Sequence, residues 1–312
     1  MHSKSLGTFK YYLLNQTIWA QLLETVITVY SPVFLCPYIS GFQSGFLRTV
    51  ASPQLTNILS IFGYCFFINT VLGVFLSLLN RLIFTFHPNL KRYLHNKYTF
   101  AGIIVLHLTM HFLVAILMLN TMEDAIGERK IIIAETQNAL QQFFKEPSLI
   151  YVSEYGGFTR LAISALFFLI VIFNCILLFC VTVFIINVVL HRKTSRTISN
   201  SASPLIVSSL VQSFLCLTLL FLPAGCLTFV WGFRIENSAN VVNALFFLAN
   251  IHGTVDMFCI LIFVKPYRSY CYKLFSRVGR KVTGQSSIES SGVPMMMISP
   301  VNVKNVTVGY IR

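Results

Sequence analysis

The sequence predicts an all-α fold, a multi-pass membrane helix bundle, and three observations carry that prediction. Hydrophobic residues make up 55% of the 312 residues and charged residues only 11%, where a soluble domain commonly shows about a quarter charged. The apolar residues are gathered into blocks of about twenty or more, the length that crosses a bilayer as a helix. Lysine and arginine collect in alternate segments between those blocks, as the positive-inside rule requires of a membrane topology. The formal charge of +13 therefore reads as membrane topology. A nucleic-acid partner is not expected.

Six blocks follow in order, each a predicted span. The first, Leu13 to Cys36, is the most polar and carries Asn15, Gln16, Gln21 and Glu24. The second runs from Leu55 to Leu79 and the third from Tyr98 to Leu119. The fourth, Leu161 to Leu190, is the most apolar; the fifth is Pro204 to Gly232 and the sixth Val241 to Val264. Soluble helices average about twelve residues, so uninterrupted blocks of this length point to lipid.

With the N-terminus in the cytoplasm, seventeen of the twenty-three basic residues fall on the cytoplasmic side. They include Arg81, Lys91 to Lys97, Arg192 to Arg196 and the cluster from Lys265 to Lys281. Arg48, Arg129, Lys130, Lys145, Arg160 and Arg234 lie outside, together with Glu123, Asp124, Glu128, Glu135, Glu146, Glu154 and Glu236. Both termini are expected to be cytoplasmic. The opening is polar and the apolar stretch after it lacks a small-residue cleavage site, so no signal peptide is expected.

Between the third and fourth blocks, Thr121 to Arg160 forms the longest extramembrane segment. Its apolar positions Ile132, Ile133, Leu140, Phe143 and Phe144 predict a short amphipathic helix over the outer mouth. After the sixth block, Tyr267, Tyr270, Cys271, Leu274, Phe275, Val278 and Val282 recur at helical spacing with basic residues between them. That pattern predicts an interfacial helix over 267–282 on an anionic leaflet. Cys271 is a candidate for palmitoylation or a plain packing cysteine. Residues 1–282 form one transmembrane domain on this reading, and 283–312 a disordered cytoplasmic tail.

No catalytic motif, phosphate loop or metal spacing occurs, so neither an enzyme nor a cofactor is expected. The eight cysteines show no paired CxxC spacing and read as apolar packing residues. Glu24 and Asp256 are the two acids inside predicted spans, and a central carboxylate costs about 2.5–3.5 kcal/mol to insert. Both should face the bundle interior, as a ligand or switching contact or as an internal hydrogen bond. Asn250 and His252 share the helix of Asp256. Asn80 and Arg81 end the second block at its cytoplasmic side, Arg81 either snorkelling or closing the bundle. Pro223 should kink the fifth block, and Pro32 and Pro37 should bend the outer end of the first.

Several stretches, taken in order, resemble a nematode serpentine chemoreceptor of class H, with class I a near relative. YYLLNQTIWAQLLE followed by SPVFLCPYISGFQSGFL is similar to the family's sequence after its first span, with Glu24 where an aspartate is usual. LLNRLIF resembles the cytoplasmic end of the family's third helix, Leu79 replacing the acid. SSLVQSFLCLTLLFLPAG is similar to the sixth helix and NIHGTVDMFCILIFVKPYR to the seventh. The six blocks then correspond to family helices two to seven.

The resemblance implies a G-protein-coupled receptor for small environmental chemicals in the membrane of sensory cilia. Its partners would be a small-molecule ligand, a heterotrimeric G protein and the bilayer. Glu24, Asn250, His252, Asp256 and Pro223 are then candidates for the ligand pocket and its switch. Asn80, Arg81, Lys265, Pro266, Tyr267 and Arg268 are candidates for the face turned to the G protein. A channel or transporter with a polar pathway near Asp256 is the alternative, and so is a truncated receptor without function.

Overall fold

Hydropathy dictates helices, and the computed structural model consists mostly of them. It describes residues 9–86, 88–94, 96–119, 125–194 and 207–282. The tail 283–312, the first eight residues and the loop 195–206, with Arg196, lie outside the described residues. Helix α1 is Phe9–Tyr30, α2 is Pro53–Phe86 and α3 is Lys97–Leu119. Helix α4, Ala125–Thr136, precedes α5, Phe158–Thr194. Then come α6 over Val207–Phe233, α7 over Ala239–Ala249, α8 over His252–Phe263 and α9 over Lys265–Val282.

Among the described residues five helical segments are long and apolar enough to cross a bilayer: Pro53–Ile83, Lys97–Ile116, Tyr155–Leu190, Val207–Phe233 and Ala239–Phe263. Six were expected. Helix α1 forms where the first block predicts it, but its amides and carboxylate leave it outside that group. It runs along α2 and α8 instead. The last of the five is two helices, α7 and α8, broken at Asn250–Ile251.

The bundle core is apolar and drawn from four helices. Leu23 of α1, Val74 and Leu78 of α2, Ile170 and Leu177 of α5, and Cys216, Leu220 and Phe221 of α6 form one buried cluster. Leu13 packs on Ile260 and Val264, with Tyr267 against them. Large apolar side chains of α3 and α5, among them Phe112, Phe168 and Phe179, stay exposed. On a membrane bundle that outward surface is the one lipid covers.

Two expectations about helix ends need correction. The first block was expected to stay helical to Cys36, bent by Pro32 and Pro37. The helix ends at Tyr30, where Ser31 takes the left-handed conformation (φ 42°), and Val33 and Phe34 join a strand. An apolar run beyond a proline serves a strand as well as a helix. The second block was expected to end at Asn80 and Arg81, but α2 continues to Phe86. Arg81 is held inside the bundle, so the helix does not end on it.

The connections at one end of the bundle build a small lid that the sequence did not announce. Strand β1, Pro32–Phe34, pairs antiparallel with β2, Ser40–Gln43, with Val33 opposite Phe42. Strand β3, Ile150–Tyr151, adds to the other edge of β2, Gly41 opposite Ile150. Leu35, Phe42, Ile132, Leu140 and Tyr151 bury a separate apolar core beneath them. The expected amphipathic helix is interrupted: α4 ends at Thr136, and Gln137 and Asn138 both have positive φ. Leu140 and Phe143 therefore reach the lid core from a separate turn, while Ile133 is exposed.

Polar contacts pin the lid. Asn243 of α7 accepts from the Phe34 N–H at 2.9 Å and donates to the Phe34 carbonyl at 3.0 Å. Glu135 accepts from the Tyr151 hydroxyl (2.6 Å), the Ser153 hydroxyl (2.7 Å) and the Glu154 N–H (3.0 Å). Burial, and then the bond to Glu135, raise the Tyr151 phenol above its ordinary value. Arg48 pairs with Glu146, and Arg160 with Glu154. Hydrogen bonding to those guanidiniums holds both carboxyls below the usual range.

The second compact unit begins at Tyr270 within α9. Tyr272, Leu274 and Phe275 are exposed there, and Cys271 is half-buried.

Replacing Glu135 by alanine strands three donors, at a cost of about 1–3 kcal/mol for each one that stays buried. Hydrogen exchange over 31–43 and 148–153 should rise in Glu135→Ala and stay unchanged over α2; unchanged lid exchange would count against that anchoring. The carboxyls of Glu146 and Glu154 are depressed in the folded chain. Their contribution is complete above the ordinary range, about pH 4.3, and is lost as the pH falls through their lower folded values. Lid protection, corrected for intrinsic exchange, should hold at about pH 5 and decline only below about pH 4.

Candidate functional site

An α-helix interrupted in lipid leaves N–H groups that must find a partner. Such a break lies between α7 and α8. Ile251 occupies the capping position of α8 and has no side chain able to cap it. The partner comes from α1. The Glu24 carboxylate accepts from the Thr254 N–H at 2.6 Å and from the Thr254 hydroxyl at 2.5 Å. A carboxylate at the positive end of a helix is doubly suited to this place, by hydrogen bond and by dipole. The helices can meet because residue 253 is glycine. A Cβ there would lie 2.7 Å from the Ala20 carbonyl oxygen and 2.7 Å from the Glu24 carboxylate.

Asn250 lies at the same break, its side-chain oxygen accepting from the Thr28 hydroxyl at 3.2 Å. One residue into α8, His252 is only 1% exposed, and neither ring nitrogen has a hydrogen-bond partner among the described residues.

One turn further along α8 is Asp256, the same face four residues on. Its Oδ2 accepts from Gln16 Nε2 of α1 at 2.8 Å, while Oδ1 has no partner among the described residues. Gln212 of α6 stands beside this carboxylate. Gln212 in turn accepts from Arg81 Nη2 at 2.6 Å, and Arg81 Nη1 donates to the Ser209 hydroxyl at 2.7 Å. Arg81 and Asp256 lie within electrostatic reach of each other with Gln212 between them. A polar chain thus crosses the bundle from α1 through α8 and α6 to α2. Arg81 and Asp256 are 3% and 1% exposed, so each relies on the other members of that chain.

Pro223 lies away from the chain, buried in the C-terminal half of α6. In place of the expected kink stands a turn of π-helix, Leu217–Phe221, shortly before it. Proline has no N–H for the carbonyl one turn back, and the wider turn takes up the mismatch.

The structure therefore joins Glu24 and Asn250 to the helix break, and Asp256 to Arg81 through Gln212. Asn80 is buried beside Arg81 in sequence, 2% exposed. Tyr267 packs on Leu13, Ile260 and Val264, while Arg268 is exposed with a long 3.5 Å approach to the Ile262 carbonyl. Lys265 and Pro266 open α9, and their side chains lie outside the described residues. Sequence reading missed Gln16, Thr28, Ser209, Gln212 and Thr254. A signal was present: Ser208, Ser209, Gln212 and Ser213 form a polar stripe at helical spacing within an apolar block, and all four are buried.

Among the described residues no group of three or more His, Cys, Asp and Glu side chains gathers that could hold a metal ion. The site's chemistry is hydrogen bonding and charge pairing between helices. Replacing Glu24 by alanine removes the cap from α8 and should cost about 1–3 kcal/mol of stability, read as a lower thermal midpoint of detergent-purified protein. Glu24→Gln, which keeps an acceptor oxygen, should lose less. Equal midpoints for Glu24→Ala and the wild type would remove the cap from any account of stability.

No curated protein and no solved structure matches this chain. The family model described as serpentine type 7TM GPCR chemoreceptor Srh matches residues 3–277. That match takes in every helix from α1 to α8 and all members of the polar chain. With its apolar membrane helices and a buried polar chain between them, this protein belongs to the serpentine 7TM chemoreceptor family Srh.

Proposed function

We propose that this protein is a chemosensory receptor that binds a small environmental chemical among its outer helix ends and signals to a heterotrimeric G protein. Membership of a chemoreceptor family supports the general reading. The observation that carries the mechanism is the polar chain Gln16–Asp256–Gln212–Arg81–Ser209. It ties together α1, α8, α6 and α2, and opening the cytoplasmic end of such a bundle requires that Arg81 part from α6.

A ligand acts only through a difference in affinity between two states. The ligand contacts proposed are His252 and Asn250, beside the break in α7–α8. The lever is α6, whose π turn before Pro223 separates its outer half from the half that holds Ser209 and Gln212. Once Arg81 is released, Asn80, Arg81 and the segment Lys265, Pro266, Tyr267 and Arg268 would meet the G protein. The basic segments Lys91 to Lys97 and Arg192 to Arg196 would frame that face, with both termini on the same side in a plasma membrane or ciliary membrane. Palmitoylation of Cys271 would anchor α9 to the leaflet. A channel or transporter with a polar pathway near Asp256 is less well supported, since that carboxylate is engaged by Gln16 and flanked by Gln212.

Arg81→Ala should abolish ligand-driven nucleotide exchange on the G protein in reconstituted vesicles, while membrane insertion persists. Gln212→Leu, which removes the link between Arg81 and Asp256, should instead raise exchange in the absence of ligand. Full activation in Arg81→Ala would overturn the role given to that residue. Ligand-evoked current without any G protein would favour a channel. A glycosylation acceptor placed within 137–147 should be modified and one placed within 91–97 should not.

A further inference from the structure

A second polar cluster lies outside the chain from Asp256 to Arg81, where α2 meets α3. Asn69 of α2 is fully buried, and its side-chain amide bridges two histidines four residues apart on α3. Asn69 Oδ1 meets His107 Nδ1, and Asn69 Nδ2 lies 2.5 Å from His111 Nε2. Trp19 of α1 covers both rings, its ring centre 5.3 Å from His107 and 5.5 Å from His111. The indole is fixed by its own N–H, which donates to Asn15 Oδ1 at 3.0 Å.

An amide offers one acceptor and one donor end, so the bridge dictates the protonation of both rings. His107 must donate from Nδ1, and His111 must present a bare Nε2. A proton on His111 Nε2 would point at the Asn69 NH2 group, donor against donor. Turning the amide over does not help, because its NH2 group would then meet the His107 Nδ1–H. His107 would have to move its proton to Nε2, and that atom is buried with no partner among the described residues. Each route leaves a donor unpaired in an apolar setting.

No formal charge intervenes in these contacts. From α1 the rings are faced by Trp19, and from α2 by Phe66 and Asn69, with the Cys65 thiol against the His111 backbone carbonyl. The titratable groups there are the Cys65 thiol and the two imidazoles. The α1 carboxylate, Glu24, is engaged by Thr254, and the α2 guanidinium, Arg81, is turned to α6.

We propose that the His107–Asn69–His111 bridge is a proton-sensitive latch, fastening α3 to α2 while His111 is neutral and loosening when it is protonated. Helix α3 packs chiefly on α2, so the latch controls a large part of its attachment.

Trp19 supplies the readout. The chain has two tryptophans, and Trp231→Phe leaves Trp19 as the single emitter in full-length protein held in phospholipid nanodiscs. An imidazolium quenches a neighbouring indole, so emission should fall along one titration curve as the pH is lowered from about 7.5 to 4.5. His111→Gln can still accept from Asn69 and should abolish the titration while keeping the fold. Asn69→Asp favours the protonated rings and should move the midpoint up by about one pH unit or more. Hydrogen exchange of α3 should be faster in the wild type than in His111→Gln at about pH 5 and equal at about pH 7.5. If Trp231→Phe fails to fold, the difference between the two-tryptophan wild type and His111→Gln gives the same curve. Emission that stays flat in the wild type, or an unchanged titration in His111→Gln, would overturn the latch.

Discussion

Hydrocarbon supplies no hydrogen bonds, and that constraint shapes each part of this bundle that is not simply apolar. A helix interrupted at Asn250–Ile251 exposes N–H groups where water cannot reach them, and a carboxylate from α1 meets them. A guanidinium buried in α2 needs acceptors on another helix, and Ser209 and Gln212 of α6 provide them. The polar atoms are few, but each fixes which helix stands next to which. Apolar packing alone leaves that choice loose, because lipid chains and leucine side chains are nearly equivalent partners.

The same constraint bears on the switching proposed for the bundle. A buried charge that loses its partner costs several kcal/mol, so the contacts around Arg81 and Asp256 break together or hold together. Two irregular turns lie close to these contacts, the break before α8 and the π turn in α6. Such turns let one half of a helix shift without unravelling the other. Rigid polar contacts next to deformable backbone are what the proposed receptor mechanism would require of a two-state element.

Much of the architecture is legible in the sequence, for a plain reason. Long apolar blocks and segregated lysines are one-dimensional signals of a one-dimensional constraint, the thickness of the bilayer. The family resemblance is legible in the order of stretches such as SSLVQSFLCLTLLFLPAG. What stays hidden depends on pairing across distance. Nothing local says that Val33 will face Phe42 in a strand, since the same apolar residues suit the end of a helix. Glu24 and Asp256 stand out as costly acids, but their partners Thr254 and Gln16 lie more than two hundred residues away. Arg81 looks like a terminal cation until Ser209 and Gln212 are placed beside it.

The polarity of α1 has a consequence for how the chain is made. Asn15, Gln16, Gln21 and Glu24 leave this segment below the hydropathy of the other spans, and its closest neighbour is α2. Such a segment partitions poorly alone but gains a partner once the next one emerges from the ribosome. A hairpin of α1 with α2 would then enter the bilayer more readily than α1 alone.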